Sequence, residues 1–260
     1  LNYTNPMCML TWLHSVGSSV QNVGLCHSVQ GTTRKLAKCV DVDYEELNYL
    51  VAGINHQSWI LQLRRGNDDL YPTLRQVAET HEDLAEDRVR VEIMRQFGYF
   101  VTESTRHNAE YLPYFCRTAE QRKYYGVPDR GPVSMENTRQ RAWMKDSGVE
   151  QDAESEIPPL RSSHEYASLI IEAKLTGKPF AFNGNVMNHG SITNLPSKCC
   201  VEVPCLADRQ GVHPTYVGDL PPQLAALNMT NVAVQELAVK AALERDKEAA
   251  FHACALDPLT

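Results

Sequence analysis

The spacing of apolar positions along the chain predicts alternating helices and strands. Apolar residues recur at helical intervals over residues 6–21, 28–40, 70–80, 83–97, 104–117, 163–176 and 221–254. Apolar runs of strand length end at Cys26 or cover residues 47–56, 58–68, 178–184 and 198–207. The helix, strand and helix that open the chain are typical of the edge of a parallel sheet, so the pattern predicts an α/β fold.

The periodicity fades at about 126–160, where the chain is polar and charged and contains four prolines. A segment of this composition buries too little apolar surface to order itself. We therefore predict a mobile arm, which a second copy of the chain orders by packing across a dimer interface.

Composition and charge exclude several classes of protein. The 260 residues carry a formal net charge of −7, and no run rich in Lys or Arg offers a surface for nucleic acid. No apolar run reaches the roughly 18 residues that span a bilayer, which argues against a membrane protein. Eight cysteines scattered through a chain of this size favour free thiols in a reducing cytoplasm over a disulfide framework.

The two ends of the sequence predict that the chain is part of a longer protein. It begins at Leu1, on what resembles the end of a strand, and stops directly after a long helical pattern. The phosphate-binding sequence Gly-x-Gly-x-x-Gly of dinucleotide-binding folds does not occur in its residues.

Three residues are candidate metal ligands because of where the strands end. Cys26 and His27 follow one short apolar run, and His56 closes another thirty residues later. Two strand ends that face one crevice can each present a ligand to the same ion. Spacing alone still favours a buried cysteine and a core histidine, since no zinc-finger pattern is present.

A second group of candidates lies on the helix predicted over 104–117. His107, Tyr111 and Tyr114 are spaced to share one face of that helix. An amphipathic helix whose tyrosines keep their hydroxyl groups at the surface explains the same pattern without any chemistry.

Six segments, in this order, resemble one known family. They are NYTNP, GLCHSVQG, GINHQSW, AEYLPYF, SITNLP followed by VEVP, and VQELAVKAALERD. This set is similar to the sequences of glycoside hydrolase family 4, over nearly the whole chain apart from the arm. The residues Cys26 to Val29 resemble those of its melibiase-type α-galactosidase subgroup.

The resemblance implies an unusual route of glycoside hydrolysis. Family 4 enzymes are the NAD-dependent exception to glycosidases that use two carboxylates. NAD⁺ takes a hydride from carbon 3 of the sugar, a base removes the proton on carbon 2, and the glycosidic oxygen leaves. Water then adds and the hydride returns, so configuration is retained. A divalent cation, typically Mn²⁺, binds the 2- and 3-oxygens.

The resemblance also assigns roles to residues. Cys26 and His56 match the two metal ligands, and we expect the sulfur and a ring nitrogen to lie within about 4–5 Å of each other even without metal. His27 matches the catalytic acid of the family. Tyr111 matches the catalytic base, and Tyr114 is the second choice for that role. Asn5 matches an asparagine that hydrogen-bonds the sugar. The residues that contact NAD are unknown. An exposed Cys26 thiolate would oxidise easily.

The resemblance finally implies an architecture. Residues 1–40 would be the end of a Rossmann-like nucleotide-binding domain, and residues 41–260 an α+β catalytic and oligomerisation domain. The implied substrate is a small oligosaccharide or other α-galactoside, and the implied assembly is a homodimer or homotetramer. The alternatives are an α-glucosidase or α-galacturonidase, or a fragment that binds metal or partners without catalysis.

Overall fold

The computed structural model describes residues 1–127 and 165–259 as a mixed α/β structure. Its helices are α1 (Met7–Gly17), α2 (Ser28–Cys39), α3 (Tyr71–Val77), α4 (Arg88–Phe97), α5 (Thr105–Tyr111), α6 (Ala119–Tyr125), α7 (Ala167–Thr176), α8 (Pro222–Glu244) and α9 (Lys247–Leu256). Its strands are β1 (Leu47–Ile54), β2 (Gln57–Arg65), β3 (Asp68–Asp69), β4 (Phe180–Met187), β5 (Cys200–Asp208) and β6 (Gly211–Pro214). From residue 128 onward, the predicted arm at 126–160 lies outside the described residues.

The predicted α/β class is confirmed, but the strands of the sheet pair antiparallel. Their order is β3-β2-β1-β5-β4, and β6 pairs with β5. The strand predicted to end at Cys26 is reduced to isolated bridges, in which Gly24 pairs in parallel with Asn2 and antiparallel with Asn185. Within the described ranges, the parallel pairing expected at the start of the chain is limited to that first bridge.

The two largest departures from the predicted helices are at α5 and in the last helical region. α5 stops at Tyr111 instead of continuing to residue 117, because Pro113 lacks an N–H and disfavours helical geometry in the residue before it. The helix predicted over 221–254 is two helices, α8 and α9. Arg245 ends α8 in a left-handed conformation with φ 56°, and Asp246 caps the first turn of α9.

Two glycines allow the close approaches that fix the segments before the candidate metal ligands. A Cβ atom on Gly24 would lie 2.2 Å from Sδ of Met7 in α1. A Cβ atom on Gly53 would lie 2.7 Å from the carbonyl oxygen of Gln57, across the β1–β2 hairpin, and Gly53 also has φ 154°. Any side chain at either position would push these segments apart.

The apolar core lies between the sheet and its helices. Trp59 of β2 is fully buried, and its indole N–H donates to the side-chain oxygen of Asn228 in α8 at 3.0 Å. α8 also packs against α1 and β1. In the part of the chain that is described, none of the helices has the length and apolar character needed to cross a membrane.

Candidate metal and active site

A cleft of about 450 Å³ opens beside the N-terminal end of α2, the turn of the β1–β2 hairpin and the start of α5. Its polar and titratable lining includes Asn5, Cys26, His27, His56, Glu103 and His107. Five of the residues singled out in the sequence, namely Asn5, Cys26, His27, His56 and His107, therefore line one cleft, although they come from four separate segments.

Cys26 lies directly before the N-cap position of α2. The hydroxyl group of Tyr166 donates to its carbonyl oxygen at 2.9 Å and holds this segment in place. Burial, assisted by the nearby carboxyl group of Glu202, raises the pKa of the Cys26 thiol to about 11. The thiol form therefore predominates at neutral pH in the metal-free protein, and the easy oxidation of Cys26 stays a prediction for its thiolate.

His56 occupies the second position of the two-residue turn between β1 and β2. Its φ of 63° lies in the left-handed region, which costs a non-glycine residue about 1–2 kcal/mol. Glycine or asparagine usually takes such a position, so this histidine is held against the local preference. Burial lowers the pKa of His56 and favours the neutral imidazole, which is the form that binds metal ions.

The ligand atoms of Cys26, His56 and Glu103 all lie within 4.8 Å of one another. This confirms the predicted proximity of the Cys26 sulfur and a ring nitrogen of His56, whereas their role as ligands stays a prediction. Ligand atoms on one ion sit roughly 2.0–2.4 Å from it, so modest side-chain shifts would bring all three to a single ion.

Glu103 is the member of this cluster that no sequence pattern indicated. It precedes Ser104, the N-cap of α5, and its backbone is left-handed with φ 72°. Its carboxylate pairs with Nδ1 of His107 at 3.1 Å, and the His107 ring meets the His56 ring edge-on at 5.0 Å. A glutamate before a helix cap is ordinary in sequence, and only the backbone conformation marks it.

The predicted acid and the predicted sugar-binding residue lie on the open side of the cleft. Nε2 of His27 is 2.8 Å from a carboxylate oxygen of Glu165, and the imidazole stacks on the Tyr3 ring at 5.3 Å. The hydrogen bond to His27 lowers the pKa of Glu165, which therefore stays ionised beside the imidazole. Asn5 is exposed, and its side-chain oxygen accepts from the N–H of Met7 at 3.3 Å.

The two candidate bases have different surroundings. Tyr111 lies behind His56, with ring centroids 6.2 Å apart, and is not among the residues that line the cleft. Burial raises the pKa of its phenol, so it needs a nearby positive charge to accept a proton. Tyr114 lies beyond the end of α5, so the shared helix face that the spacing predicted does not reach it, and its side chain is 43% exposed.

A buried carboxyl group joins the two segments that carry Cys26 and the hairpin turn. Glu202 of β5 has no exposed surface. One of its oxygens lies 2.6 Å from Oγ of Ser58, the second residue of β2 after the turn, and the other accepts from Nδ2 of Asn185 at 3.2 Å. The backbone N–H of Asn185 in turn donates to the carbonyl oxygen of Gly24 at 2.8 Å, and the Gly24 N–H donates back at 2.9 Å.

The hydrogen bonds of Ser58 indicate a neutral Glu202. Oγ of Ser58 lies 2.8 Å from the carbonyl oxygen of Ile54 as well as 2.6 Å from Glu202, but a hydroxyl group has only one proton to donate. If Ser58 donates to Ile54, the proton between Ser58 and Glu202 must belong to the carboxyl group. Burial raises the pKa of Glu202 to about 7, so the carboxyl group is protonated for the most part below that pH.

Two buried asparagines of α8 hold the other side of the hairpin turn. The side-chain N–H groups of Asn228 donate to the carbonyl oxygen of Gln57 at 2.9 Å and to its side-chain oxygen at 3.0 Å. Asn231 donates to that side-chain oxygen at 3.3 Å and to the carbonyl oxygen of Tyr111 at 3.1 Å. α8 therefore fixes the turn that carries His56 relative to the end of α5.

A second group of possible ligands, Cys39, His81 and Asp83, also has its ligand atoms within 4.8 Å of one another. Nδ1 of His81 accepts from the backbone N–H of Asp83 at 3.2 Å, and so caps a short 3₁₀ segment. This local structural role explains the group, and none of its members lines the cleft.

The neutral state of Glu202 leads to a prediction about stability. Glu202→Gln keeps the hydrogen-bond pattern, because an amide N–H donates to Ser58 and the amide oxygen accepts from Asn185. We therefore expect the free energy of unfolding near pH 5 to change by no more than about 1 kcal/mol. Glu202→Ala leaves a buried cavity and removes one hydrogen-bond partner each from Ser58 and Asn185, so it should lower the free energy of unfolding by roughly 2–5 kcal/mol. Urea denaturation of the three proteins measures both changes.

The dependence on pH tests the same assignment. The pKa of Glu202 is about 7 in the folded protein against a reference value of 4.5, so the unfolded state loses its proton first. As the pH rises from 4.5 to 7, the free energy of unfolding of the wild-type protein should therefore fall by roughly 3 kcal/mol relative to that of Glu202→Gln, with no further fall above pH 7. If the free energies of unfolding of the two proteins differ by the same amount across that range, Glu202 is already ionised in the folded state at the lower pH.

Comparison with known proteins gives a consistent result for the whole chain. The model of the family 4 glycosyl hydrolases matches residues 1–42, and the model of the family 4 glycosyl hydrolase C-terminal domain matches residues 51–260. The chain is 42% identical to an α-galactosidase of Bacillus subtilis and 33% identical to one of Rhizobium meliloti, and in both cases its full length is covered. It spans 60% and 55% of the length of these two relatives.

Solved structures agree with this relationship. The structure of the Bacillus subtilis protein LplD superposes with a TM-score of 0.85 at 27% identity, over 100% of this chain and 64% of that one. A 6-phospho-β-glucosidase of Thermotoga maritima, solved with manganese, NAD⁺ and glucose-6-phosphate, shares the fold with a TM-score of 0.74 at 20% identity, over 99% of this chain and 60% of that one. The matches of both family models and the cover of the whole chain by its relatives show that the chain belongs to glycoside hydrolase family 4.

Proposed function

We propose that the full-length protein hydrolyses terminal α-D-galactosides with retention of configuration, with NAD and a divalent cation as cofactors. The observation that carries this proposal is the convergence of Cys26 and His56 in a cleft that also holds His27 and Asn5. The two α-galactosidases named above support the choice of substrate, since they are more similar to this chain than the α-galacturonidase of Bacillus subtilis, at 28% identity.

The residues of the cluster fit a divalent cation. Burial keeps His56 in the neutral form that binds metals, and Cys26 would bind after losing its thiol proton. When bound, the cation acts as a Lewis acid on the 2- and 3-oxygens of the sugar and stabilises negative charge that develops there. We propose that Cys26 and His56 hold it, with the sugar oxygens and water as further ligands.

NAD is the second cofactor of the proposal. When bound, it supplies reversible removal of a hydride from carbon 3 of the sugar, which makes the proton on carbon 2 acidic. The Thermotoga maritima structure that shares this fold was solved with NAD⁺ and manganese, which supports the choice of both cofactors. We assign no residue of this chain to NAD.

Three side chains of this chain would handle protons and orient the sugar. We propose that His27 donates a proton to the leaving glycosidic oxygen, a role for which the contact with Glu165 orients its imidazole. Tyr111 would accept the proton from carbon 2, helped by the positive charge of the cation beside His56. Asn5, whose side-chain oxygen accepts from the N–H of Met7, would hydrogen-bond the sugar through its amide N–H groups.

The cleft favours a neutral sugar over a uronic acid. Among the described residues that line the cleft, Arg90 is the arginine, and its guanidinium group could bind the carboxylate of a uronic acid. This group is buried, however, and donates to both carboxylate oxygens of Asp87, at 3.0 and 2.6 Å. A third N–H of Arg90 donates to Thr32 at 3.1 Å. The carboxylate of a galacturonide would therefore find this guanidinium group already engaged.

The proposal includes an architecture and a location. Residues 1–40 would complete a nucleotide-binding domain and residues 41–260 would form the catalytic and oligomerisation domain, a division close to the matches of the two family models. The eight cysteines, all within the described residues, form no disulfide with one another, which supports a reducing cytoplasm. Phe251 and Leu256 of α9, 68% and 52% exposed, would lie in the interface of a homodimer or homotetramer.

Assays on the full-length protein test this function. With Mn²⁺, NAD⁺ and a reductant we expect hydrolysis of nitrophenyl α-galactoside that exceeds hydrolysis of the α-glucoside and the α-galacturonide. Cys26→Ser should lower the activity by at least about 100-fold, because it removes a metal ligand. Loss of a residue that only hydrogen-bonds a metal ligand already lowers metal affinity or activity by about 10–100-fold. Cys254→Ser, at an exposed cysteine outside the cleft, is the matched control. Full activity of Cys26→Ser, or a preference for another glycoside, would refute the proposal.

Deuterium exchange distinguishes the two tyrosines. Tyr111→Phe removes the phenolic oxygen and changes packing little, so hydride transfer at carbon 3 should persist while exchange of the carbon 2 proton with D₂O is lost. Tyr114→Phe, at the exposed tyrosine, should leave both unchanged. The assignment moves to Tyr114 if the two results are reversed, and the elimination route is contradicted if neither variant has an effect.

A further inference from the structure

Glu103 supplies the oxygen atom in a cluster whose other ligand atoms are sulfur and nitrogen. Thiolate and imidazole ligands favour Zn²⁺, and the affinity of such sites rises from Mn²⁺ to Zn²⁺. Carboxylate oxygen, by contrast, is a ligand type that suits Mn²⁺. A site made of Cys26 and His56 alone would therefore be biased against the manganese that the proposed function requires.

Hydrogen bonds of the residues on either side of Glu103, Thr102 and Ser104, fix its position beside the cluster. The N–H of Thr102 donates to the carbonyl oxygen of Ser58 at 2.8 Å, which anchors this segment to β2. The hydroxyl group of Ser104 accepts from the N–H of His107 at 3.3 Å and so caps α5. Between these anchors Glu103 adopts φ 72°, at a cost of about 1–2 kcal/mol that a glycine would not incur.

The side chain of Glu103 is arranged to bind an ion. It is 21% exposed, and it lines the cleft within 4.8 Å of the other two ligand atoms. One carboxylate oxygen pairs with His107 at 3.1 Å, and a carboxylate has a second oxygen with which to bind an ion. Metal-bound carboxylates are commonly oriented by such an outer partner.

We propose that Glu103 is the third protein ligand of the metal ion and the residue that lets the site accept Mn²⁺ in competition with softer ions. This inference rests on the proposed function, because it concerns the cation that the function needs. On this inference, the left-handed backbone conformation of Glu103 serves to place its carboxylate at the metal site. If Glu103 only paired with His107, it would have no influence on which ion binds.

Metal binding to the full-length protein, measured without substrate or NAD, tests the inference. Binding of Mn²⁺ is followed by the loss of the electron paramagnetic resonance signal of the free ion, and binding of Zn²⁺ by competition with a chromogenic chelator. Glu103→Gln should weaken Mn²⁺ binding by at least about tenfold and Zn²⁺ binding by a smaller factor. Glu103→Asp keeps a carboxylate of shorter reach and should recover part of the Mn²⁺ affinity.

Glu110→Gln is the matched control. Glu110 lies on α5, pairs with Arg106 at 3.0 Å and does not line the cleft, so its substitution should change neither affinity. An unchanged Mn²⁺ affinity in Glu103→Gln, or an equal loss for both ions, would overturn the inference while the proposed function stands. A wild-type protein that binds no Mn²⁺ would contradict the proposed function and this inference together.

Discussion

The carboxyl group of Glu202 is the contact on which the geometry of the site depends. It is fully buried, and through Ser58 and Asn185 it joins the hairpin turn to the segment that leads into Cys26. A buried polar group without partners costs about 1–3 kcal/mol, so such a group tolerates few alternative arrangements of its neighbours. The distance between the two candidate metal ligands is thereby set in the sheet, behind the cleft, before any ion binds.

Local strain is concentrated where this buried network meets the cleft. His56 and Glu103 both have left-handed backbones, with φ 63° and 72°, and both have a ligand atom in the same cluster. Each conformation costs about 1–2 kcal/mol in a residue other than glycine, and the surrounding hydrogen bonds offset that cost. Strain at two adjacent side chains that face one cleft is typical of a site maintained for function at some expense of stability.

The sequence predicted the parts of the site that local patterns and family motifs encode. It singled out Cys26 and His56 because each closes a short apolar segment beside a recognisable turn, whereas the family resemblance, rather than the spacing, predicted that they lie close together. It did not indicate Glu103, whose position depends on a backbone conformation that glutamate rarely adopts. It overextended α5 because its apolar spacing continues past Pro113, and it could not reveal the contacts of Asn228 or Glu202, which join segments far apart in the chain.

The central claim is that Cys26 and His56, from separate segments of the chain, hold one catalytic cation. X-ray absorption at the manganese edge of the full-length protein loaded with Mn²⁺ tests it most directly. We expect one sulfur neighbour at about 2.4 Å together with nitrogen and oxygen neighbours, and loss of the sulfur signal in Cys26→Ser. A first shell of oxygen and nitrogen alone in the wild-type protein would contradict the claim.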